Sequence, residues 1–169
     1  MPLIPPASKI PLPIQEVLKD FFVDLLGKGA AASKGRELKL RPDTEQKYVV
    51  AIYEDKYERV GALCISELMM AAVGGAALVM AAPSILPEVE AAQALPDNLL
   101  DNYREVVNIL SSVLNTPGTP HLKLTTIHMY PEEDIPSEAW GVIENPGNRR
   151  DFEITVEGYG GGRLSILAR

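Results

Sequence analysis

The stretch Leu99–Asn115, LLDNYREVVNILSSVLN, has the residue spacing of an amphipathic helix. At about 100° per residue, its apolar side chains fall on one side of the helix: Leu99, Tyr103, Val106, Val107, Leu110, Val113 and Leu114. Asp101, Glu105 and Asn108 fall within about 60° of one another on the opposite side. The pattern therefore predicts a helix that covers a hydrophobic core and turns two carboxylates and an amide toward solvent.

Two interpretations of this polar face are open. Asp, Glu and Asn on a solvated side need no function, because any amphipathic helix of a globular protein has such a side. Alternatively, the face is functional. A small-molecule enzyme usually buries its catalytic side chains in a pocket, whereas a side chain that enters another protein's active site must stand on a surface. An exposed Glu105 and Asn108 would therefore point to a protein substrate.

The spacing of the polar residues continues beyond the helix. Three residues separate Asp101 from Glu105, two separate Glu105 from Asn108, and 22 separate Asn108 from Pro131. This spacing resembles the signature D/S-x3-E-x2-N-x22-P of the CheC, CheX and FliY family of chemotaxis phosphatases. The resemblance implies a mixed α/β (α+β) sandwich, in which a long antiparallel sheet carries the first helix and the motif helix side by side on one face. The predicted first helix has no second Glu-x-x-Asn, so the single-site arrangement of CheX fits better than the two-site arrangement of CheC.

The resemblance also implies an activity and the residues that perform it. The substrate of this family is the aspartyl-phosphate of a response-regulator receiver domain of the CheY type. The receiver itself supplies the Mg²⁺, so no cofactor or metal of the chain's own is implied. Asn108 would orient the attacking water, and Glu105 would pair with a lysine of the receiver. Asp101 would have a packing or rim role, and Pro131 would shape the end of a strand near the helix.

One position departs from the family pattern. Family members usually have glycine directly before the asparagine, whereas Val106 and Val107 precede Asn108 here. A bulky Val107 is expected to widen the spacing of the helix or to alter docking. A second function therefore stays open, that of a non-catalytic CheX-like module that dimerises or binds a receiver. The resemblance to CheX also implies a homodimer.

Composition and charge exclude several other classes. A chain of 169 residues that is 46% hydrophobic has one domain as its default. Its net charge of −7 opposes binding to nucleic acid. The uncharged segment Leu68–Ala82 is shorter than the roughly 20 residues of a membrane-spanning helix, so no membrane partner is expected. Residues 1–12 are proline-rich, which predicts a mobile tail, and they lack the apolar segment of a secretory signal. Residues 13–169 are predicted to form a single domain. The expected location is therefore cytoplasmic.

Periodicity and turn residues predict the remaining elements. The predicted elements are helices from Pro13 to Leu26 and from a cap at Ser66 to Pro83, and strands at Lys47–Tyr53, Arg59–Ile65, His121–Tyr130, Phe152–Tyr159 and Arg163–Ala168. Residues 28–41 are predicted as a loop, and residues 83–97 as a connector that brings the chain to Asp97, the expected cap of the motif helix. The glycine-rich run at residues 158–162 predicts a hairpin turn, because no helix follows it to bind a phosphate.

Two features of the apolar region at residues 61–82 concern packing. Cys64 lies in an apolar run and is expected to be a small hydrophobic residue of a buried strand. Gly74 and Gly75 weaken the predicted helix, so either a neighbouring element packs very close there or the helix bends.

Overall fold

The computed structural model describes residues 3–4 and 9–169 of the chain. The helices in these ranges are α1 Gln15–Leu26, α2 Leu68–Leu78, α3 Ile85–Ala92, α4 Asp97–Leu114 and α5 Ser137–Glu144. The strands are β1 Ala30–Lys34, β2 Tyr48–Glu54, β3 Val60–Glu67, β4 Lys123–Tyr130, β5 Asn148–Val156 and β6 Gly160–Ala168. Among the described helices, none is long and apolar enough to cross a membrane.

All six strands form one antiparallel sheet in the order β1-β5-β6-β3-β2-β4. The predicted mixed α/β class with a long antiparallel sheet is therefore confirmed. Two hairpins, β2–β3 and β5–β6, supply the four inner strands, and β3 pairs with β6 at the centre. The glycine-rich run forms the turn and first residues of the β5–β6 hairpin, as predicted.

Apart from helix α5, which is inserted between β4 and β5, the chain contains two α-β-β-β units, α1-β1-β2-β3 and α4-β4-β5-β6. Each unit sends its first strand across the sheet to the other unit, so that β1 pairs with β5 and β4 pairs with β2. When the two units are exchanged, the strand order is merely reversed. The topology therefore relates α1 and α4 as equivalent helices of a duplicated unit.

The sheet is covered on both faces, and its central strands are buried on both. Val49, Ala51 and Tyr53 of β2 join the larger core beneath α1, α2 and α4, whereas Val50 and Ile52 join a smaller core with α5 on the other face. This double burial explains why β2 and β3 have continuous apolar sequences. The first helix and the motif helix lie on the same face, as predicted, and both line one groove.

Three short elements differ from the sequence-based expectation. The predicted loop at residues 28–41 contains β1, and the predicted connector at residues 83–97 contains α3. Helix α5, which places Trp140 against Tyr130, also lies in a region with no predicted element. These elements are only five to eight residues long, and their sequences have weak intrinsic preference for helix or strand. Pairing with β5 decides the conformation of β1, and burial of a few side chains decides that of α3 and α5.

Three predicted helix boundaries differ from the structure. Ser66 does not cap α2, because it is a fully buried residue of β3 whose hydroxyl bonds to Tyr103. That helix ends at Leu78 and does not reach Pro83. Asp97 is the first residue of α4, with Pro96 before it as the capping position.

The amino-terminal segment begins the packed domain earlier than predicted. Residues 1–2 and 5–8 of the expected tail lie outside the described residues. Ile10 and Leu12, however, are buried in the larger core, at 2% and 7% exposure. Burial of these two apolar side chains stabilises the fold, so the larger core includes residues before position 13. The mobility of the tail stays a prediction.

The glycine pair in α2 marks a close helix crossing. A Cβ atom on Gly74 would lie 2.9 Å from ring atoms of Tyr103, and one on Gly75 would overlap the backbone carbonyl oxygen of Leu99. The helix is continuous through both residues. Of the two alternatives, close packing of a neighbour is therefore the one observed, and the neighbour is α4.

Replacement of Gly75 by alanine is expected to lower the free energy of unfolding by about 1–3 kcal/mol, because the new methyl group forces α2 and α4 apart. Gly141→Ala is the matched control. That position is also inside a helix but faces open space, so alanine should stabilise the protein by roughly 0.5–1 kcal/mol. Urea unfolding of both variants measures the difference, and equal effects would contradict the close crossing.

Candidate functional site

The rotation of α4 about its axis is fixed by two buried tyrosine hydroxyls. Tyr53 of β2 donates a hydrogen bond to the backbone carbonyl of Val107, and the hydroxyls of Tyr103 and Ser66 lie 2.6 Å apart. Both tyrosines are almost fully buried, so neither hydroxyl can exchange its partner for water. These bonds attach two successive turns of α4 to β2 and β3.

The outer face of α4 consequently holds the predicted motif residues. Asp101, Glu105 and Asn108 are exposed, while Tyr103 and Leu110 on the opposite side are buried. Residues three and four apart on a helix have Cβ atoms about 5–6 Å apart, so the three side chains form one row. Within the described part of the chain, the side chains of this row have no hydrogen bond or ion pair. They are therefore available to a partner.

Val106 and Val107 lie on the core side of α4, each at 1% exposure. The side chain of Val107 therefore does not reach the surface that carries Asn108, and it cannot contact a docked protein directly. Its backbone carbonyl is the group that receives the Tyr53 hydroxyl. The departure from the family's glycine is thus accommodated inside the core.

The equivalent helix α1 has no second motif at the matching positions. Buried Leu18, Phe22 and Leu26 of α1 have the same spacing as buried Val106, Leu110 and Leu114 of α4. This alignment puts Val17 at the place of Glu105 and Asp20 at the place of Asn108. Helix α1 therefore lacks a Glu-x-x-Asn pair at the equivalent positions, and α4 carries the motif alone of the two helices.

Pro131 is separated from the three helix residues. It follows the last residue of β4, through a cis peptide bond with Tyr130. Two residues before Pro131, Met129 of β4 pairs with Val49 of β2. On the other side of β2, Val49 pairs with Ser66 of β3, whose hydroxyl contacts Tyr103 of α4. Pro131 thus lies at the level of the first half of α4. The structure brings Asp101, Glu105 and Asn108 together and places Pro131 at the end of the sheet.

The carboxyl end of α4 is held by a side-chain clamp. Asn115 donates from its amide nitrogen to the carbonyl of Leu122, and its amide oxygen accepts the Leu122 backbone N–H at 2.7 Å. This pair closes the loop that leads to β4. Sequence reasoning placed the helix end correctly but had no signal for the clamp.

Other parts of the surface offer less to a chemical interpretation. A basin of about 720 Å³ surrounds Arg163, but this guanidinium is already paired with Glu67 at 3.0 Å. Among the described residues, no group of three or more His, Cys, Asp or Glu side chains could hold a metal ion.

The buried polar cluster beneath α4 was missed by sequence reasoning. Burial raises the pKa of Cys64 to about 12 and also raises the pKa of Tyr53 and of Tyr103. All three are therefore neutral near pH 7 and have a structural role. The available signal was Tyr103 itself, because a tyrosine on an apolar helix side needs a partner for its hydroxyl.

Comparison with known proteins identifies the fold. No protein-family model and no curated protein matches the chain. The FliM middle domain from Vibrio alginolyticus is similar with a TM-score of 0.58 and 11% identity, over 90% of this chain and 86% of that chain. The FliM middle domain from H. pylori gives a TM-score of 0.57 and 13% identity over 91% and 84%, and Thermotoga maritima FliY gives 0.55 and 15% over 89% and 81%.

The chain therefore has a fold of the CheC/CheX/FliY type, as the motif spacing predicts. Identities of 11–15% establish the fold alone. The similarity to FliM middle domains adds a group of proteins that the motif does not suggest.

Replacement of Ser66 by alanine is expected to lower the free energy of unfolding by about 1–3 kcal/mol, because the Tyr103 hydroxyl is left buried without its partner. Adding Tyr103→Phe should recover part of this loss, since both positions are then apolar. Urea unfolding of the two single variants and the double variant measures the coupling. Strictly additive losses would show that the two hydroxyls are not coupled.

The free energy of unfolding is expected to fall as the pH rises above about 9. In the unfolded chain Cys64, Tyr53 and Tyr103 ionise near their ordinary pKa values of about 8.5 and 10. In the folded chain, burial raises the pKa values of these three side chains. The stability that comes from keeping them neutral is complete below their pKa values in the unfolded chain. It is lost as the pH rises toward their pKa values in the folded chain.

Urea unfolding between pH 7 and 10.5 checks this dependence. Each group contributes a slope of up to about 1.4 kcal/mol per pH unit. Cys64→Ala should move the onset of the decline to higher pH, whereas the exposed Tyr57→Phe should leave it unchanged. A stability that stays level up to pH 10.5 would disagree with the buried, neutral cluster.

Proposed function

We propose that the chain is a CheX-like phosphatase that docks on a phosphorylated receiver domain and accelerates hydrolysis of its aspartyl-phosphate. The observation that carries this proposal is the exposed pair Glu105 and Asn108, which have no partner side chain in the described part of the chain. Their helix is fixed in rotation by buried hydrogen bonds, so the pair is held in place before any partner arrives.

The proposed chemistry requires positioning more than acid or base catalysis. The oxygen of a water attacks phosphorus in line, the bond between phosphorus and the aspartyl oxygen breaks, and the receiver's carboxylate and inorganic phosphate are released. The Asn108 amide both donates and accepts hydrogen bonds, so it can orient this water without bringing a negative charge to the phosphoryl group. The Mg²⁺ that shields the phosphoryl oxygens is held by the receiver.

The other motif residues act in docking. Glu105, one turn before Asn108, would pair with a lysine of the receiver and fix the register of the complex. Exposed Asp101 would lie at the rim of the contact. Pro131 would set the path of the chain after β4.

A second candidate function is a non-catalytic binding module of the same fold. It is favoured by the similarity to FliM middle domains, and other similar structures are complexes of FliM with FliG and of FliM with SpeE, both from H. pylori. A protein partner is common to both candidates.

A homodimer also belongs to the proposal, because β1 and β4 lie at the two edges of the sheet and can pair with a second copy.

Asn108→Ala is expected to remove most of the acceleration, with a rate at least tenfold lower at nearly unchanged affinity, because the water-orienting group acts in the transition state. Glu105→Ala should instead weaken docking. The assay uses purified receiver domains from the source genome, phosphorylated with acetyl phosphate, and follows release of inorganic phosphate with and without the protein.

Asn98→Ala provides the matched control, since it makes the same change on the same helix about 15 Å farther along the axis. It should leave the rate unchanged. If the wild-type protein binds a receiver but the phosphate is lost only at the receiver's own rate, the phosphatase is excluded and the binding module takes its place.

A further inference from the structure

An apolar groove of about 470 Å³ runs between α1 and α4. It lies beside the exposed row of Asp101, Glu105 and Asn108 on α4, called here the motif row. Its apolar walls come from both helices and include Val17, Phe21 and Leu25 of α1 and Ile109 and Val113 of α4. Val17 and Ile109 are exposed at 43% and 37%, although both are aliphatic side chains. The α1–α4 groove thus leaves apolar surface uncovered next to Asn108.

The groove has acidic edges. Asp20 and Asp24 stand one helical turn apart on α1, and Glu105 stands on the α4 side. Against these three carboxylates, helices α1 and α4 carry one cation each, Lys19 and Arg104. Lys19 is bonded to Glu16 at 3.2 Å and reaches Asp20 only at 3.9 Å, and Arg104 lies about 140° around α4 from Ile109.

These charges discriminate between possible occupants. A second copy of the chain would bring two acidic rims together, and like charges across an interface oppose association. A helix with Lys or Arg on both sides of an apolar stripe would match the groove, because its cations recur at the one-turn spacing of Asp20 and Asp24. The twelve residues of α1 extend about 18 Å, enough to accommodate three turns of such a helix.

We propose that the α1–α4 groove is a docking seat for a basic amphipathic helix of the protein partner. The proposal rests on the proposed function only for the identity of that partner. The apolar walls hold the stripe, the carboxylates of Asp20 and Asp24 pair with the flanking cations, and the docked helix brings its own protein alongside Glu105 and Asn108. The groove thereby selects the partner, and the motif row acts on it.

Binding of synthetic peptides tests the proposed docking site in the α1–α4 groove without a receiver domain. The probe is a labelled, capped 14-residue peptide of Leu and Lys, with Leu at helical i, i+3, i+4 and i+7 positions, and its counterpart has Glu in place of Lys. Fluorescence anisotropy at 0.15 M salt should show binding of the Lys peptide and none of the Glu peptide. Asp20→Asn with Asp24→Asn should weaken binding at least tenfold, and Ile109→Ser at least fivefold.

A matched double variant removes the same charge elsewhere. Glu88 and Asp134 are exposed carboxylates outside the groove, so Glu88→Gln with Asp134→Asn should change the affinity less than twofold. Circular dichroism verifies that each variant is folded. Equal weakening by the two double variants would mean diffuse attraction to an acidic protein and would overturn the seat, as would equal binding of the Glu peptide.

Two further measurements separate this proposal from the others. If light scattering shows a dimer that Ile109→Ser dissociates, the groove is an interface between two copies and the proposed occupant is wrong. Asn108→Ala should bind the Lys peptide as the wild type does. Failure of receiver dephosphorylation with intact peptide binding would therefore reject the phosphatase and leave the docking seat standing.

Discussion

The site depends on how α4 is fixed to the sheet beneath it. An amphipathic helix held only by apolar contacts can rotate or slide by small amounts, since the hydrophobic effect has no direction. The hydrogen bonds of Tyr53 to the Val107 carbonyl and of Tyr103 to Ser66 have direction and are shielded from water. They determine which side of α4 faces outward, and Gly75 lets the same helix approach α2 closely.

Duplication of the α-β-β-β unit explains why a groove lies beside the motif. Equivalent helices from the two units pack on the same face of one sheet, so their outer surfaces meet along a shared seam. Phe21 and Ile109 occupy equivalent positions and line this seam from opposite sides, as do Leu25 and Val113. The apolar floor of the groove is therefore a consequence of the topology, whereas its acidic edge is particular to this sequence.

The sequence predicted long periodic elements well and short ones poorly. Helix α4 and the two hairpins have enough residues for their apolar period to be unambiguous, and their positions were confirmed within a few residues. Strand β1, with the sequence AAASK, has no such signal, because its pairing with β5 arises only when the sheet assembles. Ser66 was misread for the same reason, since its partner Tyr103 is 37 residues away in the chain.

The two units have diverged at the one place where their equivalence could have given two sites. Position 108 carries an amide and its counterpart at position 20 carries a carboxylate, while Glu105 is matched by the apolar Val17. A carboxylate in place of the amide would repel a phosphoryl group, so α1 is poorly suited to the chemistry proposed for α4. The same charge, set beside exposed Val17, suits the recognition of a basic and apolar surface. The duplication thus supplies two helices with one geometry. In the proposed function, the side chains at positions 17 and 20 would serve recognition, and those at positions 105 and 108 would serve the site on α4.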